Sequence, residues 1–115
     1  MNNLEVANIN WEDANFYGFI WVNDGKDLEL NIQHASLPIY GVLCRWSHNL
    51  NANLSWERSM QSKSGEPVYI AGPLLVHTGG IVLKQNNNYF VSFFFGLQGE
   101  LSFTCSQIEI STKNA

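Results

Sequence analysis

The sequence predicts an all-β chain, an antiparallel β-sandwich or barrel of about eight short strands joined mostly as a meander. Three observations predict it. Apolar and polar residues alternate with period two, most clearly in Leu28-Glu-Leu-Asn-Ile-Gln33. Turn residues punctuate the chain at hairpin spacing. No segment carries the 3.6-residue period of an amphipathic helix.

In chain order, Asn10 to Asn15 has the content of one helical turn, with Asn10 as its cap. Phe16 to Val22 reads as a strand apolar on both faces, with Phe16, Ile20 and Val22 set against Tyr17, Phe19 and Trp21. Asn23-Asp24-Gly25-Lys26 follows, and an Asp-Gly pair tolerates the positive φ of a tight hairpin turn. The return strand places Leu28, Leu30 and Ile32 on one face and Glu29, Asn31 and Gln33 on the other. Tyr40 to Trp46 and Asn51 to Glu57 form a second strand pair, joined around Ser47-His48-Asn49. The polar stretch from Ser59 to Glu66 is an exposed loop. Val68 to Val76 resumes β character, but Pro73 lacks a ladder donor and makes it bent or peripheral.

Thr78-Gly79-Gly80 is a turn by composition. Ile81 to Lys84 and Tyr89 to Gly96 form another hairpin around the Asn-rich turn Gln85 to Asn88. The last strand starts near Glu100. Leu101, Phe103 and Cys105 share a face, whereas Ile108 and Ile110 have the opposite parity. This phase slip predicts a β-bulge near Ser106–Gln107.

Residues 1–115 are the length of one domain, with 45% hydrophobic and 14% charged residues. That balance supports a core and excludes intrinsic disorder. The net charge is −4, and the six basic residues are scattered. Affinity for nucleic acid rests on clustered basic side chains that displace counterions, so no nucleic acid partner is expected. No membrane association is expected either, since no apolar run approaches a bilayer span. Met1-Asn-Asn-Leu-Glu lacks the features of a signal peptide, so a cytoplasmic location is the expectation. Cys44 and Cys105 are then free, buried thiols, each a small core residue.

Three histidines carry candidate chemistry. His34 continues the inward parity of Leu28, Leu30 and Ile32. It is either a base or ligand at the end of a cavity or a core histidine bonded to the backbone. His48 and His77 fall in turns. Their spacing fits no zinc pattern, so no metal and no cofactor are expected. Glu12-Asp13 and Asp24…Asp27 read as solvated turn acids. No nucleophile elbow or Cys/His constellation is present, so no catalytic residue is assigned and the chain reads as more a binder than an enzyme.

The aromatic residues carry the functional reading. Trp46 and Trp56 share parity on one predicted hairpin, with Arg58 beside Trp56. These three and His34 form the candidate ligand surface. Tyr17, Phe19, Trp21, Phe90 and Phe94 exceed what one interior needs, and are assigned to an interface in a homodimer. In size, acidity and β-rich character the chain resembles small proteins of bacterial mobile elements, including immunity proteins that neutralise toxins. The likeness is one of composition and implies a basic protein partner. The leading expectation is thus a small non-enzymatic binding protein acting on a ligand or protein partner. The alternative is a small-molecule enzyme or carrier with a barrel cavity near His34.

Overall fold

The computed structural model describes residues 6–54 and 73–112, together with the backbone of 58–61 and 67–69. The expected all-β architecture is observed. The strands are β1 (Asn15–Val22), β2 (Asp27–Gln33), β3 (Ile39–Arg45), β4 (His48–Leu54), β5 (Arg58–Gln61), β6 (Pro67–Tyr69), β7 (Leu74–Leu75), β8 (Thr78–Leu83), β9 (Tyr89–Phe94), β10 (Gly99–Cys105) and β11 (Gln107–Thr112). They make a five-stranded sheet in the order β11-β3-β2-β1-β7, a four-stranded sheet β4-β10-β9-β8, and the separate ribbon β5-β6. All pairings are antiparallel.

The β1–β2 hairpin turns where its residues allow it, with positive φ at Asn23, Asp24 and Gly25. The β8–β9 hairpin turns through Asn86 and Asn87, also at positive φ. Asn10 caps as expected: its side-chain oxygen accepts from the Glu12 amide at 3.0 Å, in a turn rather than a helix.

Among the described residues, three connections depart from the meander. Tyr40–Trp46 and the strand after it do not pair as a hairpin. β3 lies between β2 and β11, and β4 pairs with β10 in the other sheet. The chain bends at Trp46, which has φ 55°, and passes from one sheet to the other. Its neighbour does the same at Ser106, whose amide donates to the Arg45 carbonyl at 2.9 Å. The expected bulge near Ser106–Gln107 is therefore a corner shared by two neighbouring strands, a device of sandwiches whose strands switch sheets. A second corner lies at Val76–His77. There Val76 N donates to Ala14 O and His77 N to Phe94 O, carrying β7 beside β1 into β8 beside β9. Following hydrogen-bonded neighbours across both corners returns to the starting strand, so the sandwich closes like a flattened barrel.

Thr78-Gly79-Gly80, expected as a turn, opens β8. A side chain on Gly79 would run into the Ser92 carbonyl of β9, so the glycine serves close strand approach and not a reversal.

The interior is filled by the alternation read from the sequence. Leu28, Leu30 and Ile32 are buried, as are Leu101, Phe103 and Cys105 opposite them. Phe16, Phe93 and Phe95 join the two sheets, with centroids 5.2 Å apart for Phe16–Phe95 and 6.5 Å for Phe93–Phe95. Trp11 extends this chain to Phe93 at 5.9 Å. Each buried ring contributes about 1.5–3 kcal/mol relative to an exposed one.

The parity read along β1 is corrected by the structure. Phe16 is opposite Ile32, but the next pair is Gly18–Asn31, which leaves Tyr17 as an extra, unpaired residue. This bulge shifts the phase, so Phe19 falls opposite Leu30 on the core side, while Trp21, opposite Leu28, is exposed near the hairpin end. Phe19 packs against the core, stacked on Phe16 at 6.5 Å. Ile20, expected inward, is 59% exposed.

Candidate functional site

The bulge in β1 has a counterpart in β3. Against β11, Ile39 pairs with Thr112 and Gly41 with Ser111, so Tyr40 is the residue left over. Each bulge residue is thus a tyrosine followed by glycine: Tyr17-Gly18 on β1 and Tyr40-Gly41 on β3. Between them runs β2, whose outward residues are Glu29 and Asn31. The consequence is a trough of about 570 Å³ across the outer face of the five-stranded sheet. Its floor is low where the glycines carry no side chain. Space above Gly18 is open, and a Cβ on Gly41 would come no nearer than 3.5 Å to Leu30 O and 3.6 Å to Ser111 Cβ, ordinary van der Waals contacts. Tyr17, Ile20 and Tyr40 form the apolar rim; Glu29, Asn31 and Ser111 supply acceptors. Among the described residues no lysine, arginine or histidine lines it, so the local field is negative.

Asp27, read as a solvated turn acid, is buried and holds the corner next to this face. The Asn23 side-chain amide donates to it at 2.6 Å and the Trp46 backbone amide at 3.0 Å, with the Arg45 guanidinium 3.6 Å away. These contacts, the Asn23 bond foremost, hold its carboxyl below the usual carboxylate range, against the opposing effect of desolvation. Arg45 also pairs with Glu109 on β11, which raises the guanidinium pKa further. A carboxylate pKa depressed by folding stabilises the fold above the unfolded value of 3.8, and that stability is lost as pH falls through the folded value. Asp27→Asn is therefore expected to lower the melting midpoint at pH 7. The deficit should shrink as the pH is taken below 3.8, because the carboxyl of the unfolded parent protonates first, and should vanish once the pH has passed the folded value as well. A deficit that stays constant across an acid melting series would rule out this role.

His34 sits where its parity placed it, buried at the end of β2. Its Nδ1 accepts from the amides of Ser36 and Leu37 at 3.0 and 2.9 Å. The proton is then on Nε2, which donates to the Asn10 carbonyl at 2.6 Å. The ring also meets Trp11 edge-on at 5.5 Å. Both nitrogens thus tie loop backbone together, and neither is left for a substrate or a metal.

The other candidate residues do not gather at one place. Trp46 is 59% exposed at the corner, with the Lys26 ammonium 5.5 Å from its ring centroid. Trp56 and the Arg58 side chain lie outside the described residues, and the hairpin meant to join them to Trp46 does not form. Of the residues assigned to an interface, Tyr17 is on the trough, Phe19 faces the core, and Trp21 stands at the hairpin end. Phe90 and Phe94 lie on the outer face of the four-stranded sheet, where Phe94 is 47% exposed. These five therefore do not form one surface. His48 and His77 are exposed. Among the described residues, no three His, Cys, Asp or Glu side chains stand together as metal ligands.

Sequence reading missed Tyr40, Ile20, Glu29, Asn31 and the two glycines. The available signal was the repeated Tyr-Gly dipeptide inside otherwise apolar strands, since glycine within a strand marks a bulge or a close approach.

No family model and no curated protein matches the chain. Among solved structures, the fold is similar to the crystal structure of an uncharacterized protein from Neisseria gonorrhoeae. That match has a TM-score of 0.52 and 15% identity and covers 89% of this chain and 93% of the other. It supports the fold. Among the described residues no helix is long and apolar enough to cross a membrane.

Proposed function

We propose that the protein is a non-enzymatic binding protein that receives a basic segment of a partner protein in the trough on the five-stranded sheet. The carrying observation is the trough itself: two tyrosine rings around an acceptor-rich floor containing Glu29. A lysine or arginine side chain laid along it meets a carboxylate, an amide and the faces of aromatic rings, and cation–π contact adds to the charge pairing. The net charge of −4 steers a basic partner toward the molecule from a distance. A toxin neutralised by an acidic immunity protein is one partner of that class.

The test is titration of the isotopically labelled protein with a short lysine- and arginine-rich peptide, followed through backbone amide resonances. An acidic peptide and a neutral disaccharide run in parallel. Saturable shifts confined to Tyr17, Ile20, Glu29, Asn31 and Gly41 are expected with the basic peptide alone. Glu29→Lys should weaken binding at least roughly tenfold, as loss and reversal of a paired charge costs more than about 1.4 kcal/mol. Gly41→Val, which fills the floor without forcing its backbone, should do the same. Shifts with the disaccharide instead would transfer the trough to a sugar-like ligand. A homodimer in light scattering that buries Tyr17 and Tyr40 would make a second copy the occupant, and the proposal would fall.

A further inference from the structure

We propose that Cys44 and Cys105 are a disulfide site that locks the corner where β3 and β10 pass between the two sheets. The sequence separates these thiols by about sixty residues, and the topology brings them together. Cys44 is the next-to-last residue of β3, opposite Leu28 and Ile108. Cys105 ends β10, opposite Tyr89. The residues that follow them, Arg45 and Ser106, are hydrogen-bonded to each other through Ser106 N and Arg45 O at 2.9 Å, with the Ser106 hydroxyl on the same carbonyl at 3.2 Å. The two cysteines each precede one member of that hydrogen-bonded pair, and both side chains are buried in the core beside the bend. Both are completely buried, and the Cys105 sulfur is close enough to perturb the Cys44 thiol.

The surroundings favour the bonded pair over two separate thiols. The neighbouring Cys105 sulfur and, after it, burial push the Cys44 thiol far above its usual range. Burial likewise raises the Tyr89 hydroxyl, which faces Cys105 and has no hydrogen-bond partner among the described residues. A disulfide carries no charge and no donor and suits such a site. It would join the two sheets covalently at the point where they exchange strands.

The chemistry requires a low-molecular-weight disulfide as oxidant. One cysteine, as its thiolate, attacks a sulfur of the small disulfide. The small S–S bond breaks, one small thiol leaves, and a mixed disulfide forms. The second cysteine attacks the protein sulfur of that mixed disulfide and expels the second small thiol. Two electrons pass from the protein sulfurs to the oxidant, and the two protons end on the two released thiols. In the folded state neither sulfur is accessible, so the reaction proceeds during folding or through transient opening of the corner.

The experiment refolds the full chain from denaturant in a mixture of oxidised and reduced glutathione, with a fully reducing refold alongside. Oxidative refolding should yield a product lighter by two hydrogens, with a peptide map linking the Cys44 and Cys105 fragments. Its melting midpoint should rise by about 10 °C, since closing a loop of this length constrains the unfolded chain. Dithiothreitol should reverse the rise, and the double variant C44A/C105A should melt alike after both refolds. Products that carry only glutathione adducts or intermolecular links would overturn the proposal. So would a linked chain that melts no higher than the reduced one.

Discussion

Gly99→Ala is expected to abolish folding or to cost more than about 4 kcal/mol. Gly99 opens β10 at φ 113°, opposite Leu54 of β4. An added Cβ would overlap the Asn53 carbonyl oxygen and come within 2.8 Å of its carbon. Both are backbone atoms of the neighbouring strand, so no rotamer change relieves the clash. The amide of Phe95 also donates to the Gly99 carbonyl at 2.8 Å, so displacing Gly99 disturbs the turn between β9 and β10 as well. Gly25→Ala is the control. That residue also has positive φ, 79°, but a Cβ there meets nothing within 4 Å. It should cost only about 1 kcal/mol, the backbone penalty alone. Thermal melts of the two variants separate backbone strain from strand approach. Equal losses would show that the close packing of β4 on β10 is unimportant.

The second large effect is at His34. His34→Ala removes a buried ring, leaves a cavity beside Trp11, and strips the Asn10 carbonyl of its donor. Together these should cost about 3 kcal/mol. His34→Phe keeps the volume and the edge-on contact with Trp11 but provides no bond to Asn10, Ser36 or Leu37. It should still cost about 2 kcal/mol, because the Asn10 carbonyl and the amides of Ser36 and Leu37 all lose their partner. Amide exchange at Ser36 and Leu37 should quicken in both variants, reporting release of the loop between β2 and β3. A stabilised phenylalanine variant with unchanged exchange would show that the three bonds contribute nothing.

These residues also show how far one-dimensional reading reaches. His34 was placed inward by counting from Leu28, and it is inward. What its ring does was not legible, because its partners include Asn10, which is 24 positions away. Asp27 looked like an ordinary turn acid. Its burial depends on the Trp46 amide arriving from the corner, 19 positions away in sequence. Tyr17 was recognised as a surplus ring, but its role on the trough rim depends on a bulge that also turns Phe19 inward. Tyr40 carried no distinguishing mark apart from the glycine after it.

The all-β character, the β1–β2 and β8–β9 hairpins with their positive-φ turns, and the inward sets Leu28-Leu30-Ile32 and Leu101-Phe103-Cys105 follow from the sequence by itself. Period-two alternation and turn chemistry are local properties, complete within a few consecutive residues. The corner at Trp46 and Ser106, the meeting of Cys44 with Cys105, and the trough between two Tyr-Gly bulges were decided only by tertiary structure. A bulge is two residues set against one, and it does not exist until a strand has a partner. Which distant strands become partners is settled by closing two sheets around one core.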